Sequence, residues 1–303
     1  MSDAKPGRVL RCAVVYNPPK VSDDFRELVT ERTSAAGWPE PHWFETSVED
    51  PGRGMTQQAL QSGVDLVIGA GGDGTVRVVA DSMAGSGVTM AVVPAGTGNL
   101  LARNLELPLQ EAGALDVAIA GRTREIDLVE LTVDGGRPEH FAVMAGVGVD
   151  ALIMDEVDPN LKKKVGPAAY FLAAGKALNQ LPIAMEISVD GGRRRRRRAM
   201  TCVVGNVGKL PGGLVLMPLA QFDDGRLDVW VASPHRFRHW WKLAVRLVTR
   251  RGRREDPVDS WQGRRVVVQL REPESYQLDG DVAGEGRRLR AQGKPRALRV
   301  CIP

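Results

Sequence analysis

Only three cysteines and four histidines occur in the 303 residues, and Cys12, Cys202 and Cys301 each stand alone within a Val/Ile/Leu-rich stretch. That spacing argues against a disulfide scaffold or a metal knuckle and predicts buried, reduced thiols. Nowhere do 18 successive apolar residues occur, and no long apolar run follows the opening MSDAKPGRVL. Neither a membrane span nor a signal peptide is therefore expected, and the expected location is cytoplasmic. A G-x-x-x-x-G-K-[ST] phosphate loop, a His-based metal motif and a G-x-S-x-G nucleophile elbow are all missing. An excess of one charge is missing as well: the formal net charge is only +4. The pI is nevertheless about 9.1 and arginine clusters locally, which leaves an anionic partner surface open.

With 43% hydrophobic residues the chain can bury a large core, and its length suits one or two domains. From Cys12 to Val93, short β-branched runs alternate with amphipathic stretches, the pattern of βα units around a parallel sheet. Strands are expected at Cys12–Tyr16, His42–Thr46, Val64–Ile68 and Met90–Val93. Helices are expected from Phe25 to Gly37, over Thr56–Gln61, from Val76 to Gly85 and over Leu115–Ala120. Beyond Gly121 the pattern changes to strands joined by Gly/Asp/Pro turns. Glu125–Val133, Phe141–Val147, Ala184–Val189, Met200–Val204, Arg226–Val231, Arg265–Gln269 and Leu298–Ile302 read as strands, with helices at Ala168–Asn179 and Arg236–Arg250. The expected fold class is α/β plus β: a Rossmann-like parallel βα domain over 1–122, then a β-sandwich-like domain over 123–303 whose C-terminal residues pack back on the first.

In an open parallel sheet, ligands bind beyond the carboxyl ends of the strands, where loops enter helix N-termini whose N–H groups favour anions. The residues after the four expected strands are Asn17-Pro18-Pro19, Thr46, Gly69-Ala70-Gly71-Gly72-Asp73-Gly74-Thr75 and Pro94-Ala95-Gly96-Thr97-Gly98-Asn99. Glycines at 71, 72 and 74 let backbone approach a polyphosphate closely, and Thr75 can donate a further hydrogen bond. Asp73 would repel phosphate, so it is expected to face a metal ion or an acceptor hydroxyl. A tight strand-to-helix turn with no ligand explains the loop equally well. Gly69, Gly71 and Gly74 also match G-x-G-x-x-G, but no acidic residue ends the next strand where a ribose partner belongs, which makes dinucleotide redox chemistry a poor fit.

Gly71-Gly72-Asp73-Gly74-Thr75 followed by Pro94 through Arg103 resembles the paired signature of the diacylglycerol kinase catalytic family, which includes bacterial lipid kinases and sphingosine kinases. The resemblance continues through Gly146–Asp150, Gly205-Asn206, Pro211-Gly212-Gly213, Pro218, Asp223–Asp228 and Leu278-Asp279-Gly280-Asp281. It implies ATP contacts at Asn17, Thr46, Gly71, Gly72, Asp73, Gly74, Thr75 and Thr97, with Asn99 close by. It also implies a Mg²⁺ loop in which Asp224 supplies a carboxylate and Gln221 and Arg226 supply carbonyls. Few protein oxygens and several waters suit that ion; an Asp-Gly turn before a strand explains the same residues.

The family's general base is a Glu in Asp-Gly-Glu, where this chain has Asp279-Gly280-Asp281; Asp281 is the candidate base, with Glu285 a weaker substitute. The first loop also departs, reading Asn17-Pro18-Pro19-Lys20 where the family has Ser-Gly after Asn-Pro, and Lys20 could compensate by reaching a phosphate. The implied activity is ATP-dependent phosphorylation of a lipid hydroxyl, with diacylglycerol favoured by resemblance. An NAD-kinase-like enzyme shares the glycine loop but carries an Asn-Glu pair, absent here; a non-catalytic lipid- or nucleotide-binding protein is the third reading.

Two basic features suit peripheral contact with an anionic membrane. One is the Arg236–Arg250 helix, with Phe237, Trp240 and Trp241 among its arginines, which could equally pack its aromatic side on a core. The other is Arg193–Arg198, which could equally protect a strand edge. Nucleic acid binding has no accompanying motif, and edge strands leave a homodimer open.

Overall fold

The computed structural model describes residues 10–148, 181–210, 215–233 and 258–303. Asp150, Pro211-Gly212-Gly213 and the helices expected at Ala168–Asn179 and Arg236–Arg250 lie outside the described residues. The chain divides into two compact units, one of Met1–Leu128, His140–Ala142 and Lys294–Pro303, the other of Val129–Glu139 and Val143–Gly293.

In the first unit, β1 (Cys12–Tyr16), α1 (Phe25–Ala35), β2 (His42–Glu45), α2 (Arg53–Gln61), β3 (Leu66–Gly71), α3 (Asp73–Met83), β4 (Thr89–Pro94), α4 (Leu100–Asn104) and α5 (Glu111–Ala120) follow one another. The strands form a parallel sheet in the order β2-β1-β3-β4. Every residue of β1 and β3 is buried, as expected of parallel strands covered on both faces. On α3, Val76, Val79, Ala80 and Met83 are buried, the face its spacing predicts. Gly121, with φ of 72°, ends α5 in the left-handed conformation that glycine adopts without strain.

β5 (Thr123–Val133) begins in the first unit and ends in the second, and β14 (Asp281–Cys301) runs the other way. Arg299 and Val300 of β14 lie parallel to Thr89 and Met90 of β4, so the C-terminus adds a strand to the first sheet.

The second unit is antiparallel. β7 (Met144–Val147) pairs with β10 (Thr201–Gly205) and with β13 (Arg265–Leu278). β11 (Leu227–Ala232) and β12 (Val258–Gly263) continue from β10, and β14 pairs with β13. β8 (Ile183–Val189) pairs with β13 on one side and with β9 (Arg195–Ala199) on the other.

Two sequence expectations are revised. Phe141–Val147 is not one strand: β6 (Glu139–Phe141) ends, and β7 starts at Met144. The amides of Val143 and Met144 are taken there by a side chain, as described below. β13 and β14 extend far beyond Arg265–Gln269 and Leu298–Ile302, since their outward positions are charged and mask the alternation. Arg195–Arg198 of the arginine run lie in β9, which among the described residues pairs with β8 alone and so agrees with the strand-edge reading. All three cysteines are buried, and burial pushes the thiol of Cys12 up to about 11 and those of Cys202 and Cys301 to about 12.

Candidate active site

The loops at the carboxyl edge of the first sheet are tied to one another by backbone and side chain. Asn17 donates its N–H to the carbonyl of Ala70, Thr46 donates to that of Tyr16, and Ala95 donates to that of Gly71. The ends of β1, β2, β3 and β4 are thus in register. Asn17, Gly72 and Gly74 are partly accessible on this edge and Thr97 is exposed, while Gly71, Thr46, Thr75 and Asn99 are buried.

The two glycine loops touch. A Cβ on Gly96 would stand 2.7 Å from the Cα of Gly72, and one on Gly98 would stand 2.6 Å from Asp73 Oδ2. Glycine is needed at 96 and 98 because the loops approach too closely for any side chain. The Asp73 carboxylate completes the contact: Oδ2 accepts the N–H of Asn99 at 2.7 Å and Oδ1 accepts that of Leu100 at 2.6 Å. Asp73 opens α3 yet caps α4, supplying an anion to amides that have no partner within their own helix. The Asp73 carboxylate is directed at the second loop, where charge-assisted bonds to two amides are available.

Asn99 is likewise turned inward. It holds φ at 50°, its Oδ1 accepts the N–H of Gly96 at 2.9 Å, and its Nδ2 donates to the carbonyl of Gly96 at 2.7 Å. Arg103 Nε donates to the carbonyl of Gly98. Asn99, expected close by the nucleotide, has a side chain that shapes the loop carrying Thr97. Lys20 donates its N–H to the Asn17 carbonyl and keeps an exposed side chain at the same edge.

In the second unit, β13 and β14 meet at Asp279-Gly280, whose φ values of 48° and 102° are those of a two-residue hairpin turn with both central residues left-handed. Asp279 is only 4% exposed. Its Oδ1 accepts the N–H of Val143 at 2.9 Å and of Met144 at 2.8 Å, and its own N–H donates to the Met144 carbonyl. Gln277, also buried, accepts the N–H of Gly280 through Oε1 at 2.7 Å. The turn is therefore clamped from below, and Asp281, which follows it, is exposed, as is Glu285. Asp279 and Gln277 were missed as positioning residues. The signal for Asp279 was its place in an Asp-Gly pair; its burial was not legible.

Gln221–Arg226 form the turn before β11, anchored by the buried Phe222. Gly225 has φ of 67°, and Asp224 Oδ1 accepts the N–H of Arg226 at 2.8 Å. Nearby Asp228 is buried and has its carboxyl pushed up by burial and by the charge of Asp224, against two bonds from Gln262 Nε2. Among the described residues no three His, Cys, Asp or Glu side chains gather as a metal cluster. The Asp224 carboxylate and the carbonyls of Gln221 and Arg226 lie in this one turn, oxygen donors of the kind that a hard, largely hydrated cation takes.

A parallel α/β sheet with two interlocked glycine loops on its carboxyl edge, joined to an antiparallel β unit with a rigid Asp-Gly turn, defines the class of protein. Residues 11–131 match the model of the diacylglycerol kinase catalytic domain, and residues 142–302 that of the YegS C-terminal NAD kinase beta sandwich-like domain. The chain belongs to the diacylglycerol kinase family, with a second domain of the YegS type.

A curated relative from Pseudomonas aeruginosa, named "Probable lipid kinase YegS-like", is 33% identical over 257 residues, covering 83% of this chain and 81% of its own. Bacillus subtilis diacylglycerol kinase is 27% identical over 281 residues, 90% of each chain. The Mycobacterium tuberculosis enzyme is 31% identical over 183 residues; the match spans 60% of this chain and 59% of that relative. Among solved structures, a diacylglycerol kinase from Bacillus anthracis superposes with a TM-score of 0.76 at 22% identity, covering 99% of both chains. An NAD kinase from Archaeoglobus fulgidus superposes with a TM-score of 0.52 at 14% identity, covering 96% of this chain and 93% of that one. Both likenesses concern the fold. No helix among the described residues is long and apolar enough to cross a membrane.

Proposed function

We propose that the protein is an ATP-dependent lipid kinase that transfers the γ-phosphate of ATP to a lipid hydroxyl, with diacylglycerol as the favoured acceptor and phosphatidic acid the product. The observation that carries this reading is the bridge from Asp73 to the amides of Asn99 and Leu100, which locks two glycine loops into one phosphate-sized edge. In this reading Gly71, Gly72 and Gly74 admit the polyphosphate to the backbone, and the N-terminus of α3 supplies amides and a favourable dipole. Thr97, Thr75, Asn17 and Thr46 contribute polar contacts around the nucleotide.

Asp281 accepts the proton of the lipid hydroxyl. The freed oxygen forms its bond to the γ-phosphorus while the bond from that phosphorus to the bridging oxygen breaks and ADP leaves. Aspartate is one methylene shorter than the glutamate of the family pattern, and the turn held by Gln277 and Asp279 supports the backbone from which it projects. Asp224, with the carbonyls of Gln221 and Arg226, would hold Mg²⁺. When bound, the ion would brace the turn before β11, the structural role that the family pattern implies.

The test is transfer from γ-labelled ATP to a panel of lipid alcohols in mixed micelles, with NAD as a soluble comparator. Label in one lipid class, lost in Asp281→Asn, is the expected result. Label in NAD overturns the acceptor class, and ATP binding without transfer would make the protein a non-catalytic binder.

A further inference from the structure

The run Arg193–Arg198 is read differently once it is seen as a strand. In β9, Arg196 lies opposite Glu186 and Arg198 opposite Ala184, while Arg195 and Arg197 lie opposite Ile187 and Met185. Alternate residues of a strand point to opposite faces, so the run is split in two. Arg195 and Arg197 turn inward and stack on the ring of Trp261, at 5.1 and 5.5 Å from its centroid, and Arg197 Nε bonds Asp259 at 2.6 Å. Those two anchor the strand. Arg194, Arg196 and Arg198 are exposed on the other face.

Register carries that outer face across the neighbouring strands. Glu186 of β8 is opposite Gln269 of β13, which is opposite Arg288 of β14, and Val267 is opposite Arg290. Arg271 falls two residues beyond Gln269 and is exposed, as are Arg288 and Arg290. On the β8 side of this face Glu186 pairs with Arg196 and Arg194, and beyond the bulge in β13 register places a second carboxylate, Glu274, opposite Gly286, two residues from Arg288. A groove of about 750 Å³ opens beside these residues, lined by Arg196, Arg198 and Arg271 of this face together with Glu186, Arg197 and Arg287.

We propose that this arginine face docks on an anionic phospholipid bilayer, with lipid phosphates entering the groove. The proposal rests on the lipid-kinase reading for its partner, since a water-soluble enzyme acting on a bilayer lipid must meet that surface. Charge complementarity supports it: arginines presented by a rigid sheet, spaced about 7 Å along a strand and about 5 Å between strands, meet lipid headgroup phosphates as a field rather than as a line. The described residues that line the groove include no aromatic ring on which a base could stack, which favours lipid over single-stranded nucleic acid.

The experiment is co-sedimentation of the full chain with phosphatidylcholine vesicles, with and without phosphatidylglycerol. The parent should bind the anionic vesicles only, and more weakly as salt rises. Arg198→Ser, Arg271→Ser and Arg290→Ser combined should weaken binding on the order of 100-fold. A variant losing three exposed arginines of the first unit, Arg11, Arg122 and Arg124, should bind nearly as the parent does. Equal binding by the parent and the first triple variant, or binding indifferent to phosphatidylglycerol, overturns the proposal. So does binding of a single-stranded oligonucleotide in preference to anionic vesicles. Transfer to a short-chain diacylglycerol in monomeric solution separates the two readings. A parent active there but unable to pellet with vesicles loses the docking surface and keeps the kinase; one that pellets without activity does the reverse.

Discussion

Asp73 accepts the backbone N–H of Leu100 at 2.6 Å, a bond between the first residue of one helix and the first residue of the next. With its second bond to Asn99, the carboxylate satisfies two amides at once. An amide side chain in its place offers one acceptor oxygen and presents N–H to the other amide. Asp73→Asn should therefore lower stability by about 1 kcal/mol, the usual weight of a lost cap, and weaken ATP binding as well as turnover. Thermal melts and ATP titration check this. Unchanged ATP affinity with turnover abolished would make Asp73 a reacting group rather than a brace.

Gly72 and Gly96 separate packing from nucleotide contact. A methyl at 96 would meet the backbone of Gly72 at 2.7 Å, whereas one at 72 would have nothing nearer than 3.8 Å. Gly96→Ala should cost roughly 1–3 kcal/mol and loosen ATP as the loops part. Gly72→Ala should leave the melting temperature nearly unchanged and weaken ATP alone, by standing where phosphate approaches. Equal destabilisation by both would remove the contact between the loops as the reason for glycine.

The parallel first unit was legible in the sequence because its strands are short apolar runs punctuated by glycine, and β1 begins and ends at the residues expected. The candidate loops were legible for the same reason: strand ends point to them. What stayed hidden was direction. Nothing in Gly-Gly-Asp-Gly-Thr says that Asp73 turns toward Asn99 and Leu100, or that Asn99 folds back on Gly96, since both bonds join residues brought together only by the sheet. The second unit was harder still. Charged residues alternate outward along β13, β14 and β9, and six consecutive arginines have no polar-apolar contrast from which a period could be read.

Asp279 and Asp281 lie two residues apart and have opposite roles in the proposed reading. Asp279→Ala leaves the amides of Val143 and Met144 without their acceptor in a buried place, and should cost roughly 2–3 kcal/mol. Asp281→Asn changes an exposed side chain and should leave the melting temperature within about 0.5 kcal/mol of the parent while removing most turnover and sparing ATP binding. Asp281→Glu should keep activity, since it restores the family's carboxylate. Loss of activity in Asp281→Glu together with full activity in Asp281→Asn would move the base elsewhere, with Glu285 the next residue to test.

Asp81 joins three elements of the first unit. Its Oδ1 accepts the N–H of His140 at 2.8 Å and faces His140 Nδ1 at the same distance, while Oδ2 accepts Arg53 at 2.6 Å. Burial works against the charge of Asp81, but the bonds from His140 and the Arg53 guanidinium outweigh it and hold the carboxyl below its usual value. A depressed folded-state pKa contributes stability that is present above the ordinary carboxylate value near 4 and is lost as pH falls through the lower folded value. Asp81→Asn keeps an acceptor but no charge, so it should be less stable than the parent by about 2 kcal/mol at neutral pH, with Arg53 partly exposed and able to hydrate. That gap should close on acidification below the lowered folded value, where the parent's carboxyl is protonated as well. Denaturant midpoints of the two proteins across the acid range measure it; a gap independent of pH would assign the effect of the substitution to packing instead of charge.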